Sequence, residues 1–309
     1  MSNILVIGSI NMDVVIQVEN FPSEGQNIIA KSVELKCGGK GENCAIAIRN
    51  LTSDVEFVGA VGDDDHGKIL LKNLKDHKLS TENMLISKDK KTGTCYIPVN
   101  SEGENYIIVD IGANEDLNGE NIRKVYYEKI LSADIIMIQL EIAISGIEEI
   151  IKICRENNKK LIIDAGPIRD IDKDIFRGTY LISPNETELA HILGEEIKDK
   201  DDLLAKAEDF RKSLDIENVL VKLGSKGSVL INDDGVCEVP AYKVKAVDPT
   251  AAGDSFMAGL IYGIHEGKSL LDSVEIATKC GAICVTRLGA VDSLAKLEDL
   301  ENFKNFIID

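Results

Sequence analysis

The chain has 309 residues, enough for one large α/β domain or one such domain plus a small accessory piece, and its 44% hydrophobic and 28% charged content is that of an ordinary globular protein. Acidic residues outnumber basic ones 53 to 35, a formal charge of −18; aromatics make up 5% and Trp is absent. A surface of that sign repels nucleic acid and anionic lipid, and the sequence offers no stacking platform for bases.

Along the chain, residues 4–7 form a short apolar run ending in Gly8, which predicts a buried strand too short to span a membrane. Residues 41–51 follow a Gly-Gly pair and carry a helical pattern. Residues 56–61 predict a second core strand and 66–74 a helix. Further strands are expected at 135–138, 161–163, 180–182 and 219–221, with helices at 144–155 and 202–214 and two long ones at 252–266 and 270–287. Strands alternating with helices predict a mostly parallel sheet covered on both faces. Segments 13–36 and 92–110 break this alternation. They are rich in β-formers and predict antiparallel strands outside the parallel sheet, either a lid or simple edge strands. The expected division is a core of 1–12, 37–91 and 111–309 and a β-lid of 13–36 and 92–110. The 7 Cys include no CxxC pair, which predicts free thiols in a reducing cytoplasm.

With this charge, any phosphate must be held by local geometry. The run from Gly62 to Ile69 has P-loop glycine and lysine spacing, but Ile69 stands where a Ser or Thr would hold Mg²⁺ and three Asp lie inside the loop, so it reads as a strand-to-helix turn. Gly263 breaks the same spacing and reads as a helix-end glycine. The stronger candidate is Asp248-Pro249-Thr250-Ala251-Ala252-Gly253-Asp254, where small residues precede a helix whose N-terminus favours an anion. Asp254 in that first turn is suited to helix capping. Beside an anion site it is better suited to take a proton from a hydroxyl attacking the phosphate. Cys37-Gly38-Gly39-Lys40-Gly41-Glu42-Asn43 is a second glycine-rich turn before a helix, with donors for a polyhydroxylated ligand.

These two segments resemble the signature regions of the ribokinase-like (PfkB) carbohydrate kinase family. The likeness extends in order through Gly8-Ser9-Ile10-Asn11-Met12-Asp13, Gly103-Glu104-Asn105 with Gly112-Ala113-Asn114, Pro184-Asn185-Glu186-Thr187-Glu188, Lys222-Leu223-Gly224-Ser225-Lys226-Gly227 and Thr286-Arg287-Leu288-Gly289-Ala290. It covers about residues 5–295. It implies a three-layer α/β/α sandwich with a small β-sheet lid, and phosphoryl transfer from ATP to a sugar, most closely D-ribose at O5. Other sugars or nucleosides, or a binding protein that lost catalysis, are the alternatives.

By resemblance, Asp254 is the general base, and the N–H groups of Ala251, Ala252 and Gly253 form an anion hole. Asn11, Asp13, Gly39, Lys40, Asn43, Glu141 and Asp254 contact the sugar, with Glu42 at the rim of that site. Read alone, Asp13 suits a strand-end turn and Glu141 a helix N-terminus. Asn185, Lys222, Leu223, Gly224, Ser225, Lys226, Gly227, Gly253 and Thr278 line the nucleotide, although Asn185 also suits a helix cap and 224–227 a hairpin turn. Asn185 and Glu188 organise Mg²⁺ through water. Asp248, Thr250, Cys284, Arg287, Gly289 and Ser293 surround K⁺. Many members carry Gly where Ala251 stands and Thr or Ser where Pro249 stands. The expected partners are a sugar, ATP and a second copy of the chain through the lid, with no nucleic acid or membrane.

Overall fold

All four residues of the first apolar run are buried, and they alternate between two cores: Ile4 and Val6 face one layer of helices, Leu5 and Ile7 the other. The same two-sided burial recurs in each strand of the central sheet interior, which is why these runs read as continuously apolar. The structure is a computed structural model describing residues 3–308. Met1, Ser2 and Asp309, assigned to the core from sequence, lie outside the described residues.

The first half of the chain runs β1 (Ile4–Ile7), β2 (Asn11–Gln17), β3 (Ser32–Gly38), α1 (Lys40–Leu51), β4 (Val55–Val58), β5 (Ala60–Gly62), α2 (Asp65–Asp76), β6 (Leu85–Ser87), β7 (Gly93–Val99) and β8 (Ile108–Asp110). Then come α3 (Gly119–Asn121), α4 (Tyr127–Ser132), β9 (Ile135–Gln139), α5 (Ile144–Glu156), β10 (Lys160–Asp164), β11 (Leu181–Ser183), α6 (Glu186–Leu193) and α7 (Lys200–Ser213). The chain closes with β12 (Asn218–Lys222), β13 (Ser228–Asn232), β14 (Gly235–Val239), α8 (Ala252–His265), α9 (Leu270–Cys284) and α10 (Leu297–Glu301).

The main sheet has eight strands in the order β14-β13-β12-β11-β10-β9-β1-β4. It is parallel from β4 to β12, and β13 and β14 add an antiparallel edge. Helices α1, α2, α8 and α9 cover one face; α4, α5, α6 and α7 cover the other. The three-layer α/β/α expectation holds. Among the described residues no helix is long and apolar enough to cross a membrane.

Three local expectations change. The run 56–61 is two strands, not one: the chain turns at Gly59, and Ala60–Gly62 leaves the main sheet to pair with β6. A second sheet of order β3-β2-β7-β8 contains both irregular segments. Its outer pairs are antiparallel, but β2 and β7 run parallel from Asn11↔Gly93 to Gln17↔Val99. Side-chain alternation is the same in either direction, so the pattern carries no information on strand polarity. Gly263 lies within α8 rather than at its end, where a Cβ would stand 2.7 Å from Ser273 of α9. The glycine lets the two helices pack closely. The run at Gly62 is the expected strand-to-helix turn, with Asp64 capping α2 by accepting from Gly67 N.

Candidate functional site

In an open α/β sheet, ligands collect beyond the C-terminal ends of the parallel strands, where side chains leave the plane of the sheet. Asp164 is the last residue of β10 and Lys222 the last of β12; Glu141 follows β9 and Asn185 follows β11. Lys40 opens α1, directly after Gly39. These residues come together around Asp254. Lys40 Nζ lies 3.0 Å from Asp164 Oδ2 and 3.4 Å from Asp254 Oδ1. Lys222 Nζ pairs with the other oxygen of Asp164. Asn43 Nδ2 donates to Asp254 Oδ2 at 3.0 Å. The Asp254 side chain is 7% exposed and pairs with Lys40, whose side chain is 29% exposed, so the lysine is the more open member of the pair.

The electrostatics follow from burial and these pairs. Burial pushes the Asp254 carboxyl above its ordinary value; Lys40 draws it back and Asp164 raises it again. For Asp164 burial also raises the pKa, but Lys222 and Lys40 outweigh it and hold the carboxyl at about 2. Burial would lower the Lys40 ammonium, but Asp164 and Asp254 hold it well above its ordinary value.

Beside this cluster the first residues of β2 meet the loop after β9. Glu141 Oε2 accepts from Ser9 Oγ, from Asn11 Nδ2 at 3.5 Å and from Lys40 N at 3.4 Å. Asn114 Nδ2 donates to Asn11 Oδ1 at 2.8 Å and its Oδ1 accepts from Ile10 N, fixing the turn after β1. Asp13 is raised to about 6 by burial, with the Cys95 thiol opposing and Glu141 and Asp254 adding. Gly39 has φ 100°, and a Cβ there would stand 2.9 Å from Asn11 N, Ile10 Cα and Ser9 O. Only glycine lets α1 start this close to β2. Asn11, Asp13, Gly39, Lys40, Asn43, Glu141 and Asp254 thus form one contiguous group.

Glu42 is not at the rim. It is 0% exposed, turned into the interior, where Oε1 accepts from Asn73 Nδ2 at 2.8 Å and Oε2 has no partner among the described residues. Burial pushes its carboxyl up to about 8. A helix presents successive residues 100° apart, so Lys40 and Asn43 share a face that Glu42 does not.

Ala251 is the N-cap of α8 in the left-handed region, φ 59° and ψ 10°. Ala252 N donates to Pro249 O at 3.1 Å, so this N–H is taken up within the turn rather than presented to an anion. The Ala251 and Gly253 N–H groups are the remaining donors of the expected set. Asp248 ties this turn to the C-terminal stretch: Oδ1 accepts from Thr250 N and Oγ1, and Oδ2 from Gly289 N at 2.9 Å. Cys284 Sγ lies 3.4 Å from Thr250 O and 3.1 Å from Ser293 Oγ, while the Arg287 side chain turns away to pair with Asp299. The Asp248 carboxylate, the Thr250 carbonyl and the Ser293 hydroxyl around this junction are oxygen donors of the kind a large, weakly hydrated monovalent cation takes.

Asn185 and Glu188 form a capping box on α6, Glu188 N donating to Asn185 Oδ1 and Asn185 N to Glu188 Oε2. Glu188 Oε1 is left facing Gly166, beside Lys40. Among the described residues no three His, Cys, Asp or Glu cluster as a metal cage. A carboxylate oxygen such as Glu188 Oε1 is a hard donor of the kind that Mg²⁺ takes, commonly through its waters. Leu223, Gly224, Ser225, Lys226 and Gly227 form the turn between antiparallel β12 and β13, with Leu223 N donating to Gly227 O at 2.8 Å. Lys222 is set apart from this loop by its pair with Asp164. Thr278 is buried in α9, and its hydroxyl donates to Val274 O.

Sequence reasoning missed Asp164, and assigned no role to Ser9 or Asn114 although both lie in quoted motifs. An acid ending the apolar run 161–163 at the C-terminal edge of a predicted parallel strand was the available signal.

Comparison with known proteins agrees with this geometry. The profile of the pfkB family carbohydrate kinases matches residues 1–297. The chain is 32% identical to the ribokinase of Bacillus subtilis over 301 residues, covering 97% of this chain and 99% of that protein. It is 30% identical over 307 residues to the bifunctional ribokinase/ribose-5-phosphate isomerase A of Fructilactobacillus sanfranciscensis, covering 99% of this chain but only 56% of that protein. The structure of Arabidopsis thaliana ribokinase complexed with ribose and ATP superposes with a TM-score of 0.91 at 30% identity, covering 99% of each chain. A match along nearly the whole chain, with the two signature turns meeting at Asp254, means that this protein is a sugar kinase belonging to the pfkB carbohydrate kinase family.

Proposed function

We propose that the protein phosphorylates D-ribose at O5 with ATP. The observation that carries this reading is the setting of Asp254: a carboxylate in the first turn of α8, bonded to Asn43 and Lys40, beside the polar group of Asn11, Asp13 and Glu141. Asp13 and Glu141 can each accept from more than one hydroxyl, which suits a vicinal diol. Relatives named as ribokinases, one of them solved with ribose and ATP, support the choice of sugar and nucleotide.

In this reading Asp254 takes the proton of the O5 hydroxyl as O5 attacks the γ-phosphorus. The O5–P bond forms, the bond from phosphorus to the β-phosphate bridging oxygen breaks, ADP leaves, and the proton stays on Asp254. Lys40 and the Ala251 and Gly253 N–H groups face the charge that builds on the transferred phosphoryl group, and the dipole of α8 adds to them. Glu188, with Asn185, would hold the waters of Mg²⁺, which supplies charge neutralisation on the triphosphate. Asp248, Thr250, Cys284, Gly289, Ser293 and the Arg287 carbonyl would surround K⁺, which stiffens the turn that carries Ala251. The turn from Leu223 to Gly227 would take the adenosine.

The second sheet would act as a lid that excludes water. Its outer face carries Val33, Leu35, Tyr96 and Ile108, all exposed, and the registers Leu35↔Val14↔Tyr96↔Ile108 align them on one side. Such an apolar face suits pairing with a second copy of the chain. Seven unpaired cysteines support a reducing, cytosolic setting.

An ADP-release assay across ribose, deoxyribose, fructose, nucleosides and keto-deoxy acids tests the substrate, with ribose expected to give the highest kcat/KM. Asp254→Asn should lower kcat roughly 10²–10⁴-fold; an unaltered turnover would refute the mechanism. Replacing K⁺ by a non-coordinating cation should lower the rate, and an unchanged rate would remove the monovalent site.

A further inference from the structure

Lys40 is the nearest cation to Asp254, and an ammonium fully paired with a proton acceptor weakens that acceptor. Here it is shared. Asp164 Oδ2 lies closer to Lys40 Nζ, at 3.0 Å, than Asp254 Oδ1 does, at 3.4 Å. The second oxygen of Asp164 is taken by Lys222. Asp164 is 1% exposed at the end of β10, so its carboxylate is locked between lysines from α1 and β12.

The geometry points to Asp164 as a positioning residue: by clasping Lys40 and Lys222 it shares the Lys40 ammonium with Asp254 and so limits how far that cation weakens Asp254 as a base. The same clasp gathers two cations at the C-terminal end of β10. The inference rests on the reading of Asp254 as proton acceptor. The charged and titratable groups around Asp254 are few. Lys40 and the Cys44 thiol face it from α1, Asp13 from β2, Asp164 from β10 and Cys284 from α9; Lys222 acts through Asp164 and Glu188 through Lys40. Among the described residues in this set, Asp164 is the carboxylate in direct contact with the side chain of the lysine that touches Asp254.

Removing the Asp164 charge acts twice in one direction. It frees Lys40 to close on Asp254, and it deletes a neighbouring negative charge; both stabilise ionised Asp254. In Asp164→Asn the titration midpoint of Asp254 should fall by about one to three pH units, the usual effect of an opposite charge brought alongside. The midpoint is read by ¹³C NMR of aspartate-labelled protein without ligands, Asp254 being assigned by its absence in Asp254→Asn. The acid limb of kcat/KM should move down with it, and kcat should fall roughly 10–100-fold because a misplaced lysine misaligns the reacting groups. Loss of Asp164 can impair folding, so Lys222→Gln provides the second arm. There Asp164 keeps its charge with one cation fewer, Lys40 is drawn toward it, and the Asp254 midpoint should rise. A midpoint that stays put in whichever variant folds overturns the inference. Failure of the wild type to phosphorylate any sugar instead overturns the proposed function and leaves the NMR result to decide the clasp.

Discussion

Asn43 donates its side-chain amide to Asp254 Oδ2 at 3.0 Å, joining the glycine-rich turn of α1 to the first turn of α8 across 211 residues of sequence. A hydrogen bond to a charged group contributes about 1.5–3 kcal/mol, and the donor favours the ionised carboxylate. Asn43→Ala should therefore lower kcat/KM at least tenfold. Since the lost bond had lowered the pKa of Asp254, the acid limb of the pH profile should move to higher pH. A lower rate with an unmoved limb would mean that Asn43 serves the sugar alone.

Glu42 supplies a pH dependence of stability. Its carboxyl ionises near 4.5 in an unfolded chain and at about 8 in the fold, where burial disfavours the charge. Between those values the unfolded chain releases the proton and the folded one retains it, so the contribution of Glu42 to stability is greatest below about pH 4.5, falls as pH rises, and levels off above about 8. The total change is on the order of 5 kcal/mol. Glu42→Gln keeps the bond to Asn73 without the titration, and urea denaturation from pH 5 to 9 should show a flatter dependence than in the wild type.

Ala251 holds a left-handed backbone conformation, which costs an L-residue about 1–2 kcal/mol. Ala251→Gly relieves this but frees the unfolded chain by about 0.5–1 kcal/mol. The net gain in stability should be roughly 0.5–1 kcal/mol by urea denaturation. A turn that is less confined presents its N–H groups less uniformly, so kcat should fall severalfold while stability rises.

Gly39→Ala should do harm in both respects. Its φ of 100° is strained for any side chain, and the new Cβ would press on Ile10 Cα and Ser9 O at 2.9 Å. Both contacts are with backbone, which cannot rotate aside. A loss of at least about 2 kcal/mol is expected from strain and overpacking together, with activity lost as Asn11 is displaced. Wild-type stability with wild-type turnover would contradict this packing.

The main sheet was legible because its strands are buried on both faces: runs such as residues 4–7 and 135–138 are apolar without interruption, and helices with an apolar stripe fall between them. The α1 and α8 turns were legible because glycine and alanine crowd there for a backbone reason. The polarity of β2 against β7, the break at Gly59 and the interior position of Glu42 were not, since alternation and composition are the same for either outcome.

Local sequence thus determined which segments are strands and helices and which turns carry Gly39 and Asp254, because burial and backbone freedom act over a few neighbouring residues. Only the tertiary structure decided that Asp164 meets Lys40 across 124 residues and that Lys222 completes the pair. A carboxylate and an ammonium acquire their strengths from whichever charges stand within a few ångströms, and that neighbourhood exists only once the strand ends are brought side by side.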